Sequence, residues 1–275
     1  MTVIIADSAC DLPLQELEQL NVEMVSLKVF VDGKEYADGR DLTFERFYEL
    51  MDESEVLPKT SLVSVGDFIE AFNRYPDKDI IVLTMASKLS GTYQSAMLAK
   101  ESVGRNNIYV LDSGTVSVPL GALIKIAVQM RDCGQQTSEI VAKMRELIPK
   151  IYIYAILDSL KYLVKGGRLT GLKGKIGEVL NLKPIVSIRD GIVSPVAMVR
   201  GMKKAQAVLA RIVREKHHVD PSLPQGLAYT VHLKYIDQFL KICPFTPTQK
   251  TYHLGSVVGS YGGPGVVAVG FFEKE

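Results

Sequence analysis

The feature that most constrains the fold is an alternation of short apolar runs with helix-compatible stretches through the first half of the chain. Ile80-Ile81-Val82-Leu83-Thr84-Met85 is apolar without the polar interruptions of a half-exposed strand, which predicts a strand covered on both faces. The stretch from Thr92 to Glu101 then predicts a helix. The same order recurs: a strand at Val3–Ala6, a helix from Pro13, strand character over Val22–Val31, helices from Thr43 and Val65, and a strand at Ile108–Leu111. Strands that alternate with helices in this way predict a parallel sheet with helices on its faces. Asp32-Gly33 interrupts the alternation with a hairpin signal. Two helices, about 118–131 and 138–148, are separated by Asp132-Cys133-Gly134, where glycine stops the first.

After Pro149 the pattern changes. Ile151–Leu157 is strand-like, and Pro184–Arg189 and Ile192–Val199 flank Asp190-Gly191, a strong hairpin signal. Strands near Leu227–Val231 and Val266–Phe272, with helices near Lys203–Lys216 and Tyr235–Lys241, complete a second unit. The expected class is therefore α/β with two domains: an N-terminal parallel-sheet α/β domain over 1–150 and a C-terminal α+β domain over 151–275.

At 275 residues with 47% hydrophobic side chains, a sizeable core is available to either domain. No apolar run approaches the ~20 residues that cross a bilayer. The opening Met1-Thr2-Val3-Ile4-Ile5-Ala6-Asp7 has no charged n-region and reads as a strand rather than a signal peptide, so the expected location is cytoplasmic. Cys10, Cys133 and Cys243 are scattered and form no C-x-x-C pair, against a disulfide frame or a zinc site. The formal charge of +1 gives no global attraction to nucleic acid. Charge is nonetheless uneven: Lys161, Lys165, Arg168, Lys173 and Lys175 come without an acid among them, and Arg200, Lys203, Lys204, Arg211, Arg214 and Lys216 follow with only Glu215 opposing. This is either a solvated face or a docking surface for an acidic or phosphate-bearing partner.

Two hydroxyl-rich segments are the candidate site. One is Pro58-Lys59-Thr60-Ser61-Leu62-Val63-Ser64; the other, Ser87-Lys88-Leu89-Ser90-Gly91-Thr92, falls at the strand-to-helix junction after Ile80–Met85. In an open α/β sheet ligands bind at the carboxyl ends of the strands, where the next helix has unpaired N–H groups. Ser64 with Asp67 has the spacing of a capping box opening another helix. Hydroxyls at helix openings suit a carboxylate or phosphate better than a metal, although helix capping alone accounts for part of the pattern.

Catalytic motifs are missing. Gly171-Leu172-Lys173-Gly174-Lys175-Ile176 has the wrong spacing for a phosphate loop, and Gly263-Pro264-Gly265-Val266-Val267-Ala268 precedes a strand instead of joining strand to helix. There is no G-x-S-x-G, and His217, His218, His232 and His253 form no H-E-x-x-H. Asp7, Asp11 and Asp112 sit where strands end, a place where carboxylates usually accept backbone N–H bonds. No catalytic residue and no metal ligand set is assigned.

Five blocks in order, Asp7-Ser8-Ala9-Cys10-Asp11-Leu12-Pro13, Pro58-Lys59-Thr60-Ser61, Lys88–Ala96, Leu160–Arg168 and Leu182-Lys183-Pro184-Ile185, resemble the signature blocks of the DegV family over nearly the whole chain. The resemblance implies a bacterial two-domain fatty-acid-binding protein, similar to the binding subunits of fatty-acid kinase, that presents an acyl chain to a separate kinase subunit. It implies no cofactor beyond the bound long-chain fatty acid, no nucleic-acid partner, and transient membrane contact for lipid exchange. The family's carboxylate-binding threonine and serine fall on Thr60 and Ser90. Ser61, Gly91 and Tyr261 complete the expected head-group site, and Arg168 and Arg200 the expected kinase-docking surface. Two positions depart from the family: Val63 stands where proline is common, and Tyr261 stands in the block Gly259–Gly265 where the family has histidine. Tyrosine keeps a donor but loses a base that titrates near neutral pH.

The physical chemistry fits this implication. About fourteen methylenes at ~0.8 kcal/mol each gain on the order of 10 kcal/mol on burial, before ordering costs. The carboxylate then needs donors, because an unpaired charge is costly to desolvate. Two other functions compete: a serine acyl-hydrolase or acyltransferase with Ser90 as nucleophile and His253 brought near it, and a lipid-gated regulator using the basic surface.

Overall fold

The computed structural model describes residues 2–169, 181–248 and 250–274. The N-terminal half opens with β1 (Val3–Asp7), α1 (Leu14–Gln19), β2 (Val22–Val25), β3 (Lys28–Val31), β4 (Lys34–Ala37), α2 (Phe44–Glu53), β5 (Lys59–Ser61) and α3 (Val65–Asn73). It continues with β6 (Ile80–Thr84), α4 (Thr92–Val103), β7 (Ile108–Asp112), α5 (Ser117–Asp132) and α6 (Thr137–Leu147). The C-terminal half contains β8 (Ile151–Ile156), α7 (Lys161–Lys165), β9 (Leu182–Arg189), β10 (Ile192–Arg200), α8 (Met202–Lys216) and β11 (Gly226–Tyr229). It ends with α9 (Leu233–Leu240), β12 (Tyr252–His253), α10 (Ser256–Gly262) and β13 (Val267–Phe272).

The expected parallel sheet has the order β2-β1-β6-β7, with every pairing parallel. β6 is buried along its whole length, as its unbroken apolar run requires. The chain leaves β1 toward β2 and returns at β6 to run toward β7, so the strand order reverses between β1 and β6, the crevice where ligands collect in such sheets. Asp7 at the end of β1 bridges it: Oδ2 accepts the Met85 N–H at 2.6 Å and Oδ1 that of Ala9 at 3.0 Å.

The single strand expected over Val22–Val31 is two strands in different sheets. β2 stays in the parallel sheet, whereas β3 pairs antiparallel with β4 and β5 in a three-stranded sheet. The break falls at Ser26-Leu27, where the Leu27 N–H turns aside to donate to Ser8 Oγ at 3.1 Å. Both sequence-marked hairpins form, with left-handed backbone at Asp32-Gly33 and at Asp190-Gly191, as a two-residue type I′ turn needs.

All strands from Ile151 onward join a third sheet, β10-β9-β8-β13-β11-β12. Its period-2 alternation divides two cores. Tyr154, Ile156, Ile185, Val267, Val269 and Phe271 pack with residues of α8 and α9, including Leu209, Val213, Ile236 and Phe239. Ala155, Val186 and Ala268, on the other face, join the large core that also holds the parallel sheet. Pro195 sits in the edge strand β10 beside a register shift, a position where its missing N–H costs no central ladder bond.

Candidate functional site

The two hydroxyl-rich segments meet. Thr60 is the central residue of β5, and strand alternation puts it half-buried while Lys59 and Ser61 are exposed. The Val63 N–H donates to Thr92 Oγ1 at 3.4 Å, so the valine that replaces the family's usual proline supplies a donor that proline lacks. Leu62 abuts Gly91: a Cβ at Gly91 would lie 2.8 Å from Leu62 Cδ2. Ser64 is committed to the capping box, its Oγ accepting the Asp67 N–H at 3.1 Å while Asp67 Oδ2 accepts that of Ser64 at 3.1 Å. Ser90 Oγ lies 2.9 Å from Thr92 Oγ1 at the opening of α4.

Tyr261 joins the second half of the chain to this cluster. Its hydroxyl is 2.7 Å from Thr60 Oγ1. Of the block around it, residues 259–262 lie in the helix α10 and residues 263–265 follow it. Gly259 is there for close approach: a Cβ would collide with the Tyr48 hydroxyl and lie 3.0 Å from Phe47 Cε1. Arg168, expected on an outward docking surface, is half-buried. Its guanidinium lies over the Tyr261 ring, 4.8 Å from the centroid, and donates to the Leu89 carbonyl at 3.2 Å and the Gly166 carbonyl at 2.6 Å. Arg200 ends β10 and is exposed. Lys173, Lys175 and the look-alike phosphate loop at 171–176 lie outside the described residues.

Behind Arg168 and Tyr261 lies an apolar pocket that encloses about 80 Å³ of free space, or about 700 Å³ when its open side and all the space between atoms are counted. Ile153, Ala155, Val186, Ile188, Val193 and Ala268 of the third sheet form one wall. Met85, Leu89 and Val116 from the first half, and Val257 and Val258 of α10, form the others. Among the described residues, Ser117, Arg168 and Tyr261 are the polar ones in the lining. Thr60 and Ser90 stand just outside it, Thr60 bonded to Tyr261 and Ser90 next in sequence to Leu89. Ser61, next to Thr60 in β5, is exposed.

Two buried carboxyls secure the segment that carries Tyr261, and Asp7 is a third buried carboxyl, bonded to Ala9 and Met85. Asp11 Oδ1 accepts the Gly255 N–H at 2.9 Å, and Asp38 Oδ1 accepts the Ser256 N–H at 3.1 Å together with the Ser256 hydroxyl. Burial raises the Asp38 carboxyl, holds Asp11 well above the carboxylate range and lifts Asp7 to about 7. Asp112 Oδ1 accepts the Ser87 and Gly114 N–H groups at 3.1 and 2.9 Å, so it too serves the backbone. Asp38 and Ser117 carried no sequence signal, because Asp38-Gly39 reads as an ordinary turn and Ser117 as a helix start. His253 faces Tyr229 (2.7 Å from hydroxyl to Nε2) and the Phe44 ring. It makes no hydrogen bond with Ser90, so the geometry lends nothing to the hydrolase reading. Among the described residues no helix is long and apolar enough to cross a membrane, and no group of three or more metal-ligating side chains gathers.

Comparison with known proteins agrees with this architecture. The family model described as "Uncharacterised protein, DegV family" matches residues 1–274. The chain belongs to the DegV family. A DegV domain-containing protein of Caldanaerobacter subterraneus is 33% identical over 280 residues, 98% of either chain. Among solved structures, a DegV lipid-binding protein of Thermotoga maritima is 28% identical with a TM-score of 0.86, covering 100% of this chain and 99% of its own. A stearic-acid-binding protein of Eubacterium ventriosum is 26% identical with a TM-score of 0.87, covering 100% of this chain and 99% of its own.

Proposed function

We propose that this protein binds one long-chain fatty acid, with the acyl chain in the pocket and the carboxylate at its mouth among Thr60, Ser90, Tyr261 and the N–H groups that open α4 at Gly91. The observation that carries the reading is the pocket itself. Its lining is almost wholly apolar, and Tyr261 in that lining is bonded to the Thr60 hydroxyl, a combination that suits a fatty acid's two parts. The Thermotoga and Eubacterium relatives, described as lipid-binding and stearic-acid-binding, support the same ligand class. Arg168 adds positive charge beside the cluster and presses Tyr261 into place.

The protein acts without catalysis of its own, as a carrier that presents the carboxylate to a separate kinase subunit. The exposed basic face that runs from Arg200 to Lys203, Lys204, Arg211 and Arg214 suits a partner holding ATP and an acyl phosphate product. The membrane is the source and sink of the lipid, reached by transient contact.

Calorimetric titration of the double variant Thr60→Ala with Ser90→Ala tests the head-group assignment. Loss of two charge-assisted donors at ~1.5–3 kcal/mol each weakens fatty-acid binding, while the corresponding fatty alcohol, which brings no charge, loses less. Equal losses for acid and alcohol would mean that these hydroxyls do not read the carboxylate.

A further inference from the structure

Ser90 is placed by a short turn. Its N–H and that of Leu89 both donate to the Ala86 carbonyl, at 3.2 and 3.0 Å, so the residues that lead from β6 into α4 hang from Ala86. The loop after β7 secures that turn from one side. The Ala86 N–H donates to the Thr115 carbonyl at 2.8 Å, and Asp112 Oδ1 accepts the N–H groups of both Ser87 and Gly114. All of these bonds lie within the first half of the chain.

The β9–β10 hairpin ties them to the second half. Its turn residue Gly191 donates its N–H to the Gly114 carbonyl at 2.7 Å and lies against the Ser90 turn, where a Cβ would stand 2.9 Å from Ala86 Cβ and 3.1 Å from Lys88 Cβ. Carbons that close in a packed region are relieved only by moving one of them, and Ala86 has no flexible end to swing aside. Gly191 also holds φ 69°, which by itself favours glycine. The other Asp-Gly hairpin separates these two requirements. Gly33 has φ 77°, yet a Cβ there would meet no described atom within 4 Å. Glycine at 33 answers to the backbone alone, whereas glycine at 191 also admits the contact with the loop that carries Ser90.

The same hairpin is part of the pocket. Ile188 and Val193 pair across it, and both belong to the apolar lining. One two-stranded unit therefore touches the acyl pocket with its strands and the head-group loop with its tip. Arg168 holds the Leu89 carbonyl from the same half of the chain, so the loop is gripped at two points. We propose that Gly191 is a positioning residue for the head group: the close approach of the hairpin tip sets where Ser90 stands relative to the acyl pocket. This rests on the fatty-acid reading given above and adds to it a residue outside the pocket lining.

The test is titration of the full-length protein, delipidated, with stearate and with stearyl alcohol, which has the same tail and an uncharged head. Gly191→Ala is expected to weaken stearate about tenfold and the alcohol about twofold, because a displaced Ser90 no longer meets the carboxylate. Adding Ala86→Gly removes the methyl that the new Cβ strikes and restores most of the loss. Made in a Ser90→Ala background, Gly191→Ala leaves the acid-to-alcohol affinity ratio where Ser90→Ala put it, since the two changes act through one group. Gly33→Ala imposes the same backbone strain without the contact and leaves the ratio at its wild-type value. Gly191→Asn, which tolerates a left-handed backbone but carries a Cβ, reproduces the loss and guards against misfolding of the alanine variant. Equal losses for acid and alcohol, a loss that persists without Ser90, or no loss in either Gly191 variant overturns the positioning role alone. Failure of stearate to bind the wild-type protein, or a ratio unmoved by Ser90→Ala itself, overturns the head-group reading and this one with it.

Discussion

Tyr261 shows how much rests on single residues here. Its hydroxyl meets Thr60, its ring carries the Arg168 guanidinium, and it lines the pocket. Tyr261→Phe keeps the ring and removes the bond to Thr60, so fatty-acid affinity should fall by ~0.5–3 kcal/mol with little change in melting temperature. Calorimetry on the purified variant checks this; unchanged affinity would make the phenol a packing group. Gly166 is the second critical position, because a Cβ there would lie 2.5 Å from the Tyr261 ring. Gly166→Ala should displace the ring and weaken binding more than Tyr261→Phe does, read in the same titration. Thr60 and Ser90 could be located from sequence, since hydroxyls at a strand-to-helix junction and beside a capping box have a physical signal. Tyr261 had no such local signal and entered the expected site only through the family resemblance; its bond to Thr60 joins segments that the tertiary fold brings together.

At the scale of elements, sequence patterning was most reliable where burial is uniform. The run Ile80–Met85 became the fully buried strand β6, and the Asp-Gly pairs became hairpin turns. It failed where local signals compete with tertiary contacts. The three glycines of 259–263 are poor helix formers, yet α10 forms because Gly259 lets the helix pass against Tyr48, and Asp11 and Asp38 satisfy the N–H groups at its start. Those carboxyls make stability depend on pH in an uncommon direction. Asp7, Asp11 and Asp38 have folded pKa values raised above their unfolded ones. The folded state therefore holds more protons than the unfolded one between about pH 4 and 7, and stability falls as pH rises through that window. His253, pushed down by burial, opposes the trend, as do Glu16, Glu146 and Asp220, whose carboxyls are lowered, at the acid end. Denaturant melts at about pH 5 and about pH 8 should show the protein more stable in acid, and Asp38→Asn should flatten the difference. Equal midpoints would mean that these carboxyls are ionised in the folded protein.

At the scale of the whole molecule, a parallel-sheet part followed by a mixed-sheet part is legible in the order and patterning of the strands and helices. Every strand up to Asp112 lies in the first two sheets and every strand from Ile151 in the third. The pocket between them is not legible, because each wall reads as ordinary core: Ile153, Ala155 and Val186 have the same alternation whether they face side chains or a ligand. The basic surface makes a separate prediction. Arg200→Glu combined with Lys204→Glu should leave fatty-acid affinity intact, since neither residue lines the pocket. It should reduce acyl phosphate formation with a cognate kinase severalfold, more so as salt is lowered. Unchanged turnover would remove that surface from the docking role.

The central claim is that the pocket holds a fatty acid, and the most direct measurement is mass spectrometry of lipid released by denaturing extraction from protein purified out of a bacterial host, followed by titration of the delipidated protein with the species found. The account predicts a long-chain fatty acid in near-stoichiometric amount that rebinds to the emptied protein. Lipid-free preparations that also fail to bind added long-chain fatty acids would contradict it.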